Sequence, residues 1–242
     1  ATQAHAKVTF GADGLALLEA GKSAQETLDQ LLAADPMRER RQIGLVDNQG
    51  RSAAHTGAEC FDWAGHHTYE GFTCQGNILA GAQVIAAMAD AYRAAKGELA
   101  DRMLAALVAG DDAGGDRRGK QAAAIYVARP NGGYGSDNDR YLDLRVDDDP
   151  TPIQQLARLV DIHHLYFGKA KPEDSLPITE AIARELQAIL RTGGYTDAAP
   201  NGVWDAASKQ AFDALVGSEN LEERWSSDNA DVIDRVALEF LR

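Results

Sequence analysis

The stretch from Ser23 to Thr56 constrains the fold of this chain most. Ser23-Ala24-Gln25-Glu26 is a capping box, and Leu28, Leu31 and Leu32 follow at helical spacing. Asp35-Pro36 stops that helix, because the residue before a proline is driven out of the α region. Gln42-Ile43-Gly44-Leu45-Val46, the turn Asp47-Asn48-Gln49-Gly50 and residues 51–56 then read as a β-hairpin. A capped amphipathic helix leading straight into a hairpin calls for an antiparallel sheet with helices grouped on its face.

The remaining pattern extends this architecture. A strand is expected over 71–79. Ala-rich helices are expected over 81–96, with Val84, Ile85, Met88 and Tyr92 inward, and over 98–109, with Leu99, Met103, Leu104 and Leu107 inward. A loop over 110–120, strands over 122–128 and 141–146 and an amphipathic helix over 152–167 complete the first domain. Residues 168–177 are polar and contain Pro172 and Pro177, a linker signature, so the domains are read as 1–171 and 172–242. The second shows helical patterns near 178–191, 203–216 and 230–241 and no strand. Gly193-Gly194 ends the first of these helices. The last would start at Asp228, Asp231 and Asp234 and end in Arg242, as the helix dipole favours. The fold class is α+β, antiparallel sheets under helices, with a small all-α C-terminal domain.

Charge limits the partners. The 242 residues carry 37 Asp and Glu against 24 Lys and Arg, a formal net of -13. Residues 172–242 hold 14 acids and 6 bases, a net of -8. So acidic a chain repels phosphate backbones and anionic lipid, which argues against nucleic-acid and membrane partners. Apolar stretches fall short of a membrane span, and Ala1-Thr2-Gln3-Ala4-His5 lacks a basic start followed by an apolar run. With Cys60 and Cys74 alone, two unlinked thiols in a reducing, cytoplasmic setting are favoured over one optional bridge.

Four stretches carry chemistry. In Ala113-Gly114-Gly115-Asp116-Arg117-Arg118-Gly119-Lys120, Arg117 and Arg118 could take a carboxylate and Asp116 could orient an amine or a water; the bland reading is an internal Asp–Arg pair. The amides of Gln75 and Asn77 flank Gly76, where backbone approach is close, and could donate to a developing oxyanion. His66, in Trp63-Ala64-Gly65-His66-His67, is a candidate substrate contact. Cys60, His66, His67 and Cys74 lack zinc-ligand spacing, so no metal is expected there. Asp143, Arg145 and Asp147 share one strand face as a compensated charged stripe, and a hard cation at 147–149 would be weakly held. Hydrolase-elbow, zincin and dinucleotide-binding motifs are missing, and no cofactor is expected.

Taken together, Ala1-Thr2-Gln3-Ala4, Arg41-Gln42-Ile43-Gly44-Leu45-Val46-Asp47, His55-Thr56-Gly57, Trp63-Ala64-Gly65-His66, Gln75-Gly76-Asn77-Ile78-Leu79, residues 113–121 and Asp143-Leu144-Arg145-Val146-Asp147-Asp148 stand in one order. They resemble the family called domain of unknown function 1028, over roughly residues 1–165. That family is similar to the N-terminal nucleophile (Ntn) hydrolases. The resemblance implies an αββα sandwich, and an N-terminal Thr or Ser whose α-amine is the base. In the family a first hairpin bearing that residue precedes the position of Ala1, so it would lie on a separate N-terminal fragment or outside this chain; Thr2 would serve only with Ala1 removed. Ala122 stands where the family usually has Ser. Leu186-Gln187, Gly194-Tyr195, residues 201–205 and Glu219-Asn220-Leu221-Glu222-Glu223-Arg224 resemble the peptidoglycan-binding module sometimes fused to it.

The resulting expectation is an Ntn-type amidohydrolase for a small amide or peptide-like substrate. Asn77 and Gln75 would serve the oxyanion, with Asp116, Arg117, Arg118 and His66 around the substrate. The alternative is a non-catalytic binding or assembly protein, a homo-oligomer held through Trp204 and Trp225 of the tail. A third reading, a metal-dependent hydrolase, would use Asp116, Asp143, Asp147 and a histidine.

Overall fold

The computed structural model describes residues 1–226 and 230–242. Its contacts separate two compact units, Ala1–Ala157 and Arg158–Arg242. The sequence places its boundary after residue 171. The division here falls within the helix Pro152–Phe167, because Leu165 and Tyr166 already belong to the apolar core of the second unit.

In the first unit, β1 (Thr2–Ala4), β2 (Arg41–Val46) and β3 (Ser52–Thr56) form an antiparallel sheet in the order β1-β2-β3. Strand periodicity sends Ile43 and Leu45 to one face and Gln42 and Gly44 to the other. The apolar face packs under α1 (Thr9–Glu19) and α2 (Ala24–Ala33) through Phe10, Leu28, Leu31, Ile43 and Ala53. Each large side chain buried there contributes roughly 1.5–3 kcal/mol. The opposite face meets β4 (Gly65–Tyr69) and β5 (Phe72–Gly76), an antiparallel pair. At Gly44 a Cβ would lie 2.5 Å from both Gln75 Oε1 and Thr73 Oγ1, so the close approach of the sheets requires glycine there. The far side of β4–β5 places Cys74 against Ile85 and Ala89 of α3 (Ala82–Ala94). The layers therefore run helix, sheet, sheet, helix, as expected.

This unit differs from the sequence reading in β1 and α1, which were not expected, and in two further features. β4 was not expected: His66 and Thr68 alternate with His67 and Tyr69, so neither face reads as apolar. The helix α4 (Leu99–Asp112) continues through the expected start of the 110–120 loop. Gly110 permits this, because α3 comes so close that a Cβ would sit 2.8 Å from Met88 Cγ. The strands β6 (Ala123–Ala128) and β7 (Arg140–Val146) pair beside α4, burying Ile125, Val127 and Leu142, and α5 (Pro152–Phe167) follows.

The second unit packs α6 (Glu180–Thr192), α7 (Ala206–Glu219) and α8 (Arg235–Leu241) around Leu186, Leu190, Phe212, Leu215, Ile233 and Leu238. Three expectations are corrected here. The unit is not wholly helical: β8 (Ser175–Pro177) pairs with β9 (Val232–Asp234). The last helix begins at Arg235 rather than near 230, because Val232 and Ile233 extend in that ladder and Asp234 is the cap, accepting from Ala237 N at 3.1 Å. Asp231 instead pairs with Lys209, and Asp228 lies outside the described residues. Trp204 and Trp225 are not exposed anchors. Trp225 is buried, edge-on to Phe212 at 5.0 Å, with its N–H on Val232 O, and half-buried Trp204 donates to Ala230 O. An indole that finds a carbonyl for its one donor gains more from the core than from water.

Asp47 joins the hairpin to α2. Its carboxylate accepts from the amides of Ala24, Gln49 and Arg51 and from Arg51 Nε. Burial by itself pushes this carboxyl up, but those donors outweigh it and hold it at about 2, below its ordinary 3.8. The linked stability is full above pH ~3.8 and is lost as the pH falls through about 2. Asp47→Asn is expected to flatten the acid limb of urea-unfolding stability between those values. At the capping box, Ser23 Oγ accepts from Glu26 N at 3.2 Å and Glu26 accepts from Ser23 N at 2.8 Å. Ser23→Ala is expected to cost about 1 kcal/mol in the same titration.

Candidate functional site

A polar seam runs between the two sheets of the first unit. Gln3 pairs with Gln42 and Gln42 with Thr56, so the three share the face turned toward β4–β5. Gln42 is fully buried. Its amide nitrogen lies 2.8 Å from Gly76 O, 3.1 Å from Gly65 O and 2.9 Å from Thr56 Oγ1. Two carbonyls can only accept, which fixes the orientation of the amide. Thr56 Oγ1 is in turn 2.9 Å from His66 Nδ1. A Thr56 hydroxyl that donates to Nδ1 leaves the imidazole proton on Nε2. Burial first, and then the neighbouring His55 and His67, lower the His66 pKa below its ordinary 6.5. In that tautomer His66 is a neutral ring that presents its Nε2–H.

Gln75 stands directly across from His66 in the ladder. Thr73 Oγ1 donates to Gln75 Oε1 at 2.7 Å, which leaves the amide N–H groups of Gln75 for another acceptor. Cross-strand partners lie about 4.5–5.5 Å apart at Cα, so the pair offers two neutral donors side by side. The buried oxygens Gln3 Oε1 and Gln42 Oε1 have no hydrogen-bond partner among the described residues. A buried acceptor without a donor costs about 1–3 kcal/mol, so the seam has unfilled capacity.

Three loops crowd the Gly65–Gly76 end of the seam. Ile78 N donates to Phe61 O, Leu79 N to Trp63 O and Ala80 N to Gly115 O, and Leu79 bridges Asp116. Half-buried Asn77 lies in this turn, one residue past β5. Arg117 fastens the turn: its N donates to Ile78 O at 2.9 Å and its guanidinium to Asp62 O. Asp116 and Arg118 form a fork, Nη2 to Oδ2 at 2.6 Å and Nε to Oδ1 at 3.0 Å. The Arg118 bond, foremost, holds the Asp116 carboxyl below the usual carboxylate range.

The structure thus brings Gln75 and His66 together and sets Asn77 and the 116–118 loop at the same end of the seam. Thr2 is turned away: it pairs with Ile43, on the helix-facing side. Asp143 pairs with Arg140 at 3.2 Å, and Asp147 lies 4.0 Å from Arg145, so the charged stripe is internally compensated. Among the described residues no three His, Cys, Asp or Glu side chains gather as a metal site, and both cysteines are free thiols. The sequence reading missed Gln3, Gln42, Thr56 and Thr73. The signal was present in β2, where Gln42 and Gly44 alternate with Ile43 and Leu45.

Residues 1–156 match the model of a family of unknown function, DUF1028. The chain belongs to that family. Residues 166–241 match the family described as "Putative peptidoglycan binding domain". The chain is also similar to a crystal structure of a DUF1028 protein from Silicibacter pomeroyi, at 29% identity and a TM-score of 0.59, over 66% of this chain and 69% of that one. No curated protein matches. No described helix is long and apolar enough to cross a membrane.

The Thr56–His66 bond predicts one spectroscopic outcome. Nitrogen-15 NMR is expected to find His66 protonated on Nε2 at neutral pH, titrating below 6.5. Thr56→Val is expected to erase that preference by removing the donor to Nδ1.

Proposed function

We propose that this chain carries the substrate-binding and oxyanion-binding part of an Ntn-type amidohydrolase acting on a small amide or peptide-like substrate. The observation that carries this reading is the pairing of His66 and Gln75, two neutral donors on adjacent strands at the end of a buried polar seam. Uncharged, pre-oriented N–H groups suit an oxygen that becomes negative only in the transition state, since they need no reorganisation then. Asn77 adds a second side-chain amide in the adjoining turn. Following the resemblance, the attacking hydroxyl belongs to a Thr or Ser whose strand precedes Ala1 in the family pattern. The edge position of β1 suits such a strand. In that reaction the α-amine takes the hydroxyl proton as oxygen attacks the amide carbon. The oxyanion accepts from His66 and Gln75, the proton passes to the leaving amine, and water hydrolyses the ester. A substrate bearing both an amine and a carboxylate would displace the Asp116–Arg118 fork and take each partner separately.

This reading places the DUF1028 unit in the cytoplasm, as a hydrolase without a metal. For the second unit, the net of -8 over residues 172–242 offers no attraction to an acidic wall polymer, so docking or self-association is the better role.

The test is amide hydrolysis by the natural polypeptide against a panel of N-acyl amino acids and dipeptides. Gln75→Leu is expected to lower kcat/KM about 10²–10³-fold on any substrate found, and Asn77→Ala by a similar or smaller factor. Unchanged kcat/KM in Gln75→Leu would remove the oxyanion role. A mature N-terminal residue without a hydroxyl would remove the Ntn mechanism.

A further inference from the structure

Among the described residues β5 pairs with β4 on one side and with no strand on the other. Phe72, Thr73, Gln75 and Gly76 stay half-buried, as on the rim of a sheet. Gly65 O and Gly76 O lie 3.1 and 2.8 Å from the one nitrogen of Gln42, so this ladder pair turns its carbonyls toward each other. Alternation along the ladder then aims the N–H and C=O of Phe72 and Cys74 at β4, and those of Thr73 and Gln75 at the free edge. Neither of these two main-chain units has a backbone partner there among the described residues.

The same edge is already in use just beyond the strand. Ile78 N and Leu79 N bond to Phe61 O and Trp63 O, which lead into β4, so residues 115–117 occupy the free side. Arg117 N donates to Ile78 O at 2.9 Å, Ala80 N donates to Gly115 O at 2.9 Å, and Leu79 bridges Asp116 in the antiparallel sense. Gly119 N then donates to Asp116 O at 3.1 Å, and this turn takes the chain off the edge before it reaches Gly76.

At the other end of β5 an open groove of about 660 Å³ lies against Phe72. Ring contacts run from Tyr69 of β4 to Phe72 at 4.7 Å and on to Tyr92 at 4.6 Å, with the Arg102 guanidinium 4.1 Å from the Tyr92 centroid. Arg102 is therefore beyond Phe72 as seen from β4, on the free side. Its Nε is held by Tyr92 O at 3.2 Å, and it has no ion pair among the described residues. A strand that continued the direction of 115–117 along β5 would begin beside Asp116 and end beside Arg102. The edge thus offers a carboxylate at the N-terminal end of such a strand and a cation at its C-terminal end, which is the polarity of a free peptide.

We propose that the free edge of β5 binds a short extended peptide as an added antiparallel strand, its main chain on Thr73 and Gln75 and its C-terminus toward Arg102. This specifies the peptide-like substrate of the hydrolase reading and rests on that reading for cleavage alone.

Titration of the full chain with the tetrapeptide Thr-Val-Thr-Val, followed by calorimetry and by amide hydrogen exchange, tests the binding. The expected result is saturable one-site binding with slower exchange at the Thr73 and Gln75 amides. Single N-methylation along the peptide is expected to weaken binding at least tenfold at alternate positions only, since alternate N–H groups face β5. A C-terminal amide in place of the carboxylate is expected to bind several-fold less tightly, a difference that Arg102→Gln erases. The N-methyl series needs no protein variant, so it keeps the test valid if Arg102→Gln fails to fold. The proposal is overturned by no binding of millimolar peptide, by affinity indifferent to N-methylation, or by unaltered exchange at Thr73 and Gln75. Slow exchange at both amides before peptide is added would overturn it in favour of a strand of the protein itself at this edge. A peptide that binds in this register and is not cleaved by the natural polypeptide would support the proposal and count against the hydrolase reading.

Discussion

The amide nitrogen of Gln42 holds both sheets of the first unit at once, within hydrogen-bond distance of the carbonyls of Gly65 and Gly76 across the interface and of Thr56 Oγ1 in its own sheet. A fully buried amide is costly unless its donors are used. Here their use ties the two sheets together beside Gly44, where a Cβ would meet Gln75 and Thr73 of the facing strand. Thr56 Oγ1 connects the same amide to His66 Nδ1. The polar row also explains an interface between sheets that is not simply apolar: Ile43 and Cys74 bury their bulk against helices, on the outer faces.

The second unit uses a related device. Gln187 is buried, its amide nitrogen within 3.0 Å of Asn201 Oδ1, Val203 O and Ser208 Oγ while its carbonyl accepts from Asn201 N and Gly202 N. One side chain thereby shapes the turn before α7, where Gly202 has φ +81°. Residues 186–187 and 201–205, which carry the family resemblance, are the two sides of this contact. Arg224 and Asp234, both buried and 3.6 Å apart, anchor the segment before α8. The resemblance in this unit is thus to a set of packing constraints, and a ligand is not needed to explain it.

Much of the fold was legible because it rests on local rules. The capping box, the hairpin around Asp47–Gly50 and the helix 152–167 each depend on residues a few positions apart. β4 was not legible, since His66-His67-Thr68-Tyr69 has no apolar face until α3 covers one side and β3 the other. β9 was hidden inside a helical pattern because Val232 and Ile233 suit either state, and pairing with Leu176 decides between them. At the site, Gln75 and His66 were recognisable as chemically able side chains. Their pairing was not, because it depends on an unexpected strand. Asp116 and Arg118 could be read as a ligand clamp or as an internal pair, and in the structure they hold each other.

The sequence by itself determined the helix caps, the antiparallel character of the sheets, the acidic surface and the family, because each is written in short-range spacing, in composition or in motif order. Tertiary structure alone decided which polar groups lose water. Gln42, Thr56 and His66 become one hydrogen-bonded chain only when two sheets close over them, and Trp204 and Trp225 leave the surface only when Phe212 and the carbonyls of Ala230 and Val232 receive them. Burial and hydrogen-bond direction belong to the assembled layers, and strand-local patterns cannot specify them.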